Sequence, residues 1–202
     1  MLRIGLTGGL ASGKSTVGAM LAQRGAHLLQ ADALAHQLYE PGAAVYDAVV
    51  RTFGRDILRP DGTIDRRALA SRAFPDRIHE LNAIVHPAVI EAQNDWADKV
   101  ENADPDGLAV VEAALLIEAG AHKEFDKVIV VTCPFEQKVE RYARRAGISL
   151  DEARREVERR SAAQFTDEQK ASYADFVVDN SGSLPETERQ VERIWAKLRE
   201  VR

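Results

Sequence analysis

The stretch Gly8-Gly9-Leu10-Ala11-Ser12-Gly13-Lys14-Ser15 joins an apolar run, LRIGLT, to a segment with helical spacing. No other feature constrains the chain as strongly. A glycine-rich turn from a buried strand into a helix points backbone N–H groups inward, and the helix adds the positive end of its dipole. Gly8, Gly13, Lys14 and Ser15 fit the spacing G-x-x-x-x-G-K-[ST]. There, loop amides cradle phosphate oxygens, Lys14 reaches the β- and γ-phosphates, and the Ser15 hydroxyl sits on Mg²⁺. Thr16 reads as a packing or capping residue. The loop predicts a bound nucleoside triphosphate, leaving a kinase, a hydrolysing switch or motor, or a sensor without chemistry.

The rest of the chain gives the loop a sheet to sit on. LRIGLT, LAVV, KVIVV and DFVV read as buried parallel strands, with HLLQ from His27 as a weaker fifth. Lys14 to Arg24 carries Val17, Met20 and Leu21 on one helical face, and the last segment carries Val191, Ile194, Trp195, Leu198 and Val201. Strands alternating with helices predict an α/β fold with crossover connections. ENADPDG reads as the loop before the third strand. Two helical stretches interrupt the alternation, one from about His36 to Asp98 with turns at EPG and RPDG, and one from about Arg141 to Tyr173. Such insertions often carry function.

Composition narrows the classes. The chain has 202 residues, 45% hydrophobic and 29% charged, with a formal net charge of −5, which argues against a general nucleic-acid binder. Cys133 is the one cysteine, so no internal disulfide forms, and it reads as a buried core thiol. No stretch approaches the roughly 20 apolar residues of a membrane span, and the expected compartment is the cytoplasm.

Next comes the destination of the phosphate. No guanine-reading N-K-x-D occurs. LAVVEAALL ends its apolar run in one acid, Glu112, which either orients a Mg²⁺-bound water or is a strand-end residue with no role. LLQAD ends in Asp32. At the carboxyl end of a parallel strand an aspartate faces the ligand crevice and can accept the proton of an attacking hydroxyl; it can equally cap the helix begun by DALAHQL, or do both. Arg141, Arg144, Arg145, Arg154, Arg155, Arg159 and Arg160 crowd the second insertion. Arginines of a closing segment meet the charge of phosphoryl transfer, while Glu152, Glu156 and Glu158 are spaced to pair with several of them. Loop, acid and arginines together predict a small-molecule kinase and leave its acceptor open. The rival from another class is a nucleotide-dependent binding module.

The chain also resembles the dephospho-CoA kinase family over almost its whole length. The resemblance rests on IGLTGGLASGKSTV, ADALAHQLYEPG, FGRDILRPDGTIDRRALASRAF, LNAIVHP, ALLIEAG, RAGISLDEA, RRSAAQ and ADFVVDNSGS, in that order. It implies a P-loop NTPase three-layer α/β/α core with a five-stranded parallel sheet, a helical substrate-binding insertion and a helical lid. As one domain over 1–202, the core spans 1–35, 104–140 and 174–202, the insertion 36–103 and the lid 141–173. It implies transfer of the γ-phosphoryl of ATP to the ribose 3′-hydroxyl of dephospho-CoA, with Mg²⁺ and without a nucleic-acid, membrane or obligate protein partner. The alternative is another P-loop small-molecule kinase, with a nucleoside, nucleotide or shikimate-like acceptor.

Carried over residue by residue, the ATP site takes Gly8, Gly9 and Ala11, Ser12, Gly13, Lys14, Ser15 and Thr16, with Ser15 on the metal. Arg141, Arg145 and Arg160 match lid arginines, and Asn180 falls where the chain turns near the adenine. Asp32 becomes the base toward the ribose hydroxyl; His36 and His86 fall on the substrate side. His86 can alternatively be a helix-end packing residue before Pro87. His27, His79 and His122 match nothing and are expected at the surface. The chain departs from the family at Gln30, where an acid is common, and at His36, where arginine is common and a contact to substrate phosphate is at stake. It also departs at Glu112, Ala114 and Ala146.

Overall fold

The computed structural model describes residues 1–74 and 76–200. Their element order begins β1 (Leu2–Gly8), α1 (Lys14–Gln23), β2 (His27–Gln30), α2 (Ala31–Gln37), α3 (Tyr46–Phe53), α4 (Arg66–Ala73), α5 (Ile78–Ala103) and β3 (Leu108–Glu112). It continues with β4 (Lys127–Thr132), α6 (Phe135–Ala146), α7 (Leu150–Ser161), α8 (Asp167–Ala171), β5 (Phe176–Asp179) and α9 (Leu184–Glu200). The chain divides into two compact units, Met1–Leu29 with Val100–Arg202, and Gln30–Lys99.

The larger unit is built on a five-stranded parallel sheet in the order β2-β3-β1-β4-β5. β1 is central, with Leu2 opposite Leu108 on β3 and Ile4 opposite Lys127 on β4. On one face Ile4, Leu6, Val110, Ile129 and Val178 meet Val17 and Leu21 of α1 and Val191, Ile194 and Leu198 of α9. The helical faces read from the sequence are therefore the buried ones, each such side chain contributing about 1.5–3 kcal/mol over exposure. Val201, expected on the last stripe, lies outside the described residues. On the other face Leu116 and Ile117 pack on Val128 and Val130. Gly5 admits that layer, because a Cβ there would stand 3.0 Å from a Leu116 methyl. Cys133 is buried, and burial pushes its thiol pKa up.

The smaller unit has a core of its own, in which Val45, Val49, Phe53, Ile57, Ile64, Leu69 and Ala73 cluster. Its RPDG turn is pinned by an isolated antiparallel bridge between Leu58 and Ile64, and Asp65 caps α4 by accepting from the N–H groups of Arg67 and Ala68.

Several boundaries differ from the sequence reading. The second strand stops at Gln30, and Gln30 is the N-cap of α2, so Asp32 neither ends the strand nor caps the helix; it lies in the first turn. The alanines around it favour helix and let α2 start directly off the strand. α5 runs through Pro87 to Ala103, which makes His86 an interior, exposed helix residue and shortens the loop before β3 to 104–107. The expected start of the lid at 141 falls inside α6, which begins at Phe135. Of the three histidines expected at the surface, His79 is exposed, and His27 and His122 are half-buried. His27 pairs with Asp104 at 3.1 Å, and His122 packs edge-on against Tyr173 with its Nδ1 buried and without a hydrogen-bond partner. Among the described residues no helix is long and apolar enough to cross a membrane.

Candidate active site

β1 ends in Gly8, and six residues later α1 begins at Lys14. Between them the backbone takes left-handed conformations at Ala11 (φ 57°) and Gly13 (φ 101°), the alternation that makes neighbouring amides converge on an anion. Gly13 is also the N-cap of α1, and a Cβ there would lie 1.9 Å from Asn180 Nδ2. At Gly8 a Cβ would strike the Val131 carbonyl at 2.3 Å. Both glycines are thus required by space.

The loop is held from three sides. Lys14 Nζ donates to the carbonyls of Gly8 and Gly9, each at 3.0 Å. The Ser12 carbonyl accepts from Asn180 Nδ2 at 2.8 Å and from Arg141 Nη1 at 3.2 Å. Asn180 is buried, its Oδ1 accepts from Thr187 Oγ1 at 2.8 Å, and its own carbonyl accepts from Arg141 Nη2 at 2.7 Å. Beside Gly9, Lys138 Nζ meets both carboxylate oxygens of Asp167 at 2.8 and 2.7 Å, and a Cβ on Gly9 would come within 2.9 Å of that Nζ.

Over the loop opens a cleft of about 570 Å³, the size class of small-molecule sites. Ala11, Gly13, Lys14, Ser15 and Thr16 form its floor; Arg141, Arg144 and Arg145 of α6, with Asn180, Gly182 and Leu184, form its walls. Thr16 is exposed to this cleft and makes no cap, contrary to the packing or capping role expected of it. The Ser15 hydroxyl donates to Glu112 Oε1 at 2.7 Å, and Glu112 is buried at the carboxyl end of β3. One hydroxyl and one carboxylate are hard oxygen donors that suit Mg²⁺, an ion that keeps several waters and takes its remaining oxygens from substrate phosphates. Among the described residues no group of three or more His, Cys, Asp or Glu stands together as a separate metal centre.

The arginine-rich stretch divides by partner. α6 and α7 form a hairpin around Val139, Ala143, Ala153 and Val157. Arg154 pairs with Glu136 across the hairpin, and Arg159 and Arg160 both pair with Glu156. The Arg159 guanidinium and then that of Arg160 hold the Glu156 carboxyl down at a pKa of about 2. Arg160 is therefore carboxylate-bound and absent from the cleft wall. Arg145 lies over the Tyr142 ring, 5.4 Å from its centroid, and does line the cleft.

The structure thus gathers Ala11, Gly13, Lys14, Ser15, Thr16, Arg141, Arg145 and Asn180 about one cleft, keeps Gly8, Gly9 and Ser12 in the loop but off its lining, and leaves Arg160 to one side. Sequence reasoning passed over Arg144, Gly182 and Leu184 as site residues, although Arg144 stood in the arginine cluster it singled out. Asp32, His36 and His86 belong to the smaller unit. Asp32, His36 and His86 are exposed there. His36 Nε2 lies 2.6 Å from Arg66 Nη1, and partial burial and then the guanidinium lower its pKa.

A protein-family model described as Dephospho-CoA kinase matches residues 2–186. A dephospho-CoA kinase of Geobacter sulfurreducens is 46% identical over 197 residues, 96% of this chain and 97% of the relative. One from Aquifex aeolicus is 43% identical over 201 residues, 98% of each. A crystal structure of a Thermus thermophilus protein superposes with a TM-score of 0.83 at 35% identity, covering 98% of this chain and 97% of the other.

Proposed function

The chain belongs to the dephospho-CoA kinase family, and on that premise we propose that it transfers the γ-phosphoryl group of ATP to the ribose 3′-hydroxyl of dephospho-CoA, giving coenzyme A and ADP. The observation that carries the reading is the Gly8–Ser15 loop, clamped by Asn180 and Arg141 beneath a cleft walled by α6 arginines.

Little covalent work falls to the protein in phosphoryl transfer; positioning and charge stabilisation do most of it. The loop amides bind the phosphates of ATP. Lys14 exchanges its two carbonyl partners for β- and γ-phosphate oxygens, a swap from neutral to charged acceptors that strengthens its hydrogen bonds. Ser15 and Glu112, whose side chains meet at 2.7 Å, would hold Mg²⁺, Ser15 as a ligand and Glu112 through water; when bound, the ion would supply neutralisation of the phosphate charge. Arg141 and Arg145 meet the charge that spreads over the equatorial oxygens. Arg160 adds to this in the family pattern only if it gives up Glu156. Asn180 fixes the loop with its side chain and offers the adenine the turn that follows it. The coupling of the arginine-bearing α6–α7 hairpin to substrate is that of a lid, which keeps water from the phosphoryl group.

Asp32 accepts the proton of the 3′-hydroxyl as it attacks. Its support is its place in the chain, two residues beyond the carboxyl end of a parallel strand, the end at which ligands bind in such sheets. His36 and His86 belong to the acceptor side. The 36–103 insertion serves as the acceptor-binding segment and 141–173 as the lid. A reducing, cytoplasmic setting suits a chain whose single cysteine is free and buried.

Turnover of Asp32→Asn and Lys14→Ala tests these assignments. Each should lose about 10²-fold or more in kcat, with the KM for ATP nearly unchanged in Asp32→Asn. Near-normal kcat in either variant removes that residue from the mechanism.

A further inference from the structure

Lys170 is fully buried and heads the wholly enclosed side chains of the described residues in size. A lysine holds such a place only when its ammonium is matched. Here Nζ stands 2.7 Å from Glu118 Oε1 and donates to the Ala114 carbonyl at 2.9 Å. The same Oε1 accepts from the backbone N–H of Phe165 at 2.9 Å, where the chain returns from the α6–α7 hairpin. No step of the phosphoryl transfer uses either charge. Stability is a weak reason for the pair, because desolvation offsets much of the attraction between buried charges. Its use lies in the groups it fixes.

Those groups border the phosphate site. Ala114 lies two residues beyond Glu112, the last residue of β3. Its carbonyl also accepts from Thr7 Oγ1 at 3.4 Å; Thr7 is fully buried and directly precedes Gly8 of the loop. The Ala113 N–H donates to the Leu6 carbonyl at 3.0 Å, and over 114–120 the chain runs in turns, without a helix or strand to fix its peptides. Side chains take over at Ala114, Thr7 from β1 and Lys170 from α8. α8 is braced at its other end, where Asp167 accepts from the Cys133 N–H at 3.2 Å and pairs with Lys138 against Gly9. A capping box of Thr166 and Gln169 stabilises its first turn. α8 thus reaches from beside Gly9 to the segment that follows Glu112.

We propose that Lys170 is a positioning residue for the Mg²⁺ site. Clasped to Glu118, it fixes the Ala114 peptide, and with it the backbone from which the Glu112 side chain reaches the Ser15 hydroxyl, 2.7 Å away. A group that orients an ion's ligand governs metal affinity by about 10–100-fold without touching the metal. Lysine suits the place because one ammonium donates to a carboxylate and a carbonyl at once. A methionine of similar length fills the space and donates nothing. The inference rests on the assignment of Ser15 and Glu112 to Mg²⁺, and deepens it by naming what holds Glu112 in place.

Lys170→Met strands the Glu118 charge and should unfold at lower urea, so Lys170→Met/Glu118→Gln is made beside it. The glutamine keeps an acceptor for the Phe165 N–H and leaves no buried charge unmatched. ATP is titrated calorimetrically into the wild type, both variants and Glu112→Gln, with Mg²⁺ and again with EDTA. The wild type should bind ATP more tightly with Mg²⁺. In both Lys170 variants that gain should shrink about tenfold, while the affinity in EDTA stays within about twofold. The double variant should recover most of the urea midpoint and none of the Mg²⁺ gain. A double variant with the wild-type Mg²⁺ gain overturns the proposal and leaves Lys170 a structural residue. If Glu112→Gln also keeps the gain, the assignment of Glu112 to the ion falls with it. A wild type that shows the expected pattern yet forms no coenzyme A from dephospho-CoA keeps this inference and overturns the kinase reading.

Discussion

Asn180 donates through Nδ2 to the carbonyl of Ser12 at 2.8 Å, across 168 residues of chain. The bond joins the turn after β5 to the loop after β1, so the phosphate loop takes its shape from the far end of the sequence. Replacing Asn180 with Ala leaves the Ser12 carbonyl without this donor and the buried Thr187 hydroxyl with only the more distant Ser183 carbonyl, at 3.4 Å, to accept from it. The expected cost is about 2–3 kcal/mol, read from the urea midpoint, with a raised KM for ATP. Asn180→Asp keeps the shape but cannot donate, and should lose ATP affinity as well. A variant of either kind with normal ATP binding would show that the clasp is incidental.

Glu112 and Ser15 form the second test. Glu112→Gln keeps an acceptor for the Ser15 hydroxyl at 2.7 Å and removes only the negative charge. The Mg²⁺ concentration for half-maximal activity should rise about 10–100-fold, and the urea midpoint should hardly move. An unchanged Mg²⁺ dependence would return Glu112 to the rank of a strand-end residue.

The contrast between these two sites explains what was legible in the sequence. The loop, β1 and the packing faces of α1 and α9 are local patterns, and they stand where the residues place them. Asp32 was misplaced by two residues because HLLQAD has no glycine or proline to mark the boundary, and the alanines let a helix start at once. The lid arginines were read as a cluster, but which of them turn to the nucleotide depends on the α6–α7 hairpin. Arg154, Arg159 and Arg160 found glutamates, while Arg141, Arg144 and Arg145 line the cleft. Lys170 was wholly illegible. It is fully buried, 2.7 Å from Glu118 and donating to the Ala114 carbonyl at 2.9 Å, and nothing local distinguishes it from a surface lysine.

The Lys138–Asp167 pair against Gly9 should be a coupled unit. The side chains are 11% and 19% exposed, so removing one partner leaves a mostly buried charge. Lys138→Met and Asp167→Leu should each cost up to about 3 kcal/mol, below the fully buried case, while the double variant recovers most of the loss. Denaturant midpoints of the four proteins measure this. Strict additivity would mean that the two side chains act separately.

Glu156 predicts an acid signature. Its folded pKa is about 2 against an ordinary 4.5, with Arg159 the first cause and Arg160 the second. A depressed carboxylate adds stability above the unfolded pKa and loses it as pH falls through the folded one. The gap in urea midpoint between wild type and Glu156→Gln should therefore be open at neutral pH and narrow from about pH 4.5 toward pH 2, where other carboxylates titrate equally in both proteins. The side chain is 26% exposed on a solvated helix, so the gap should be small and should shrink in high salt. A gap that stays constant across that range would contradict the pairing.

The most direct test of the central claim is ADP release from Mg-ATP with dephospho-CoA, adenosine, AMP and shikimate as parallel acceptors. The account predicts strong stimulation by dephospho-CoA alone, with coenzyme A, phosphorylated at the 3′ position, formed in equal amount to ADP. Stimulation by another acceptor in its place, or ADP release indifferent to all four, would contradict it and leave only a triphosphate-binding loop.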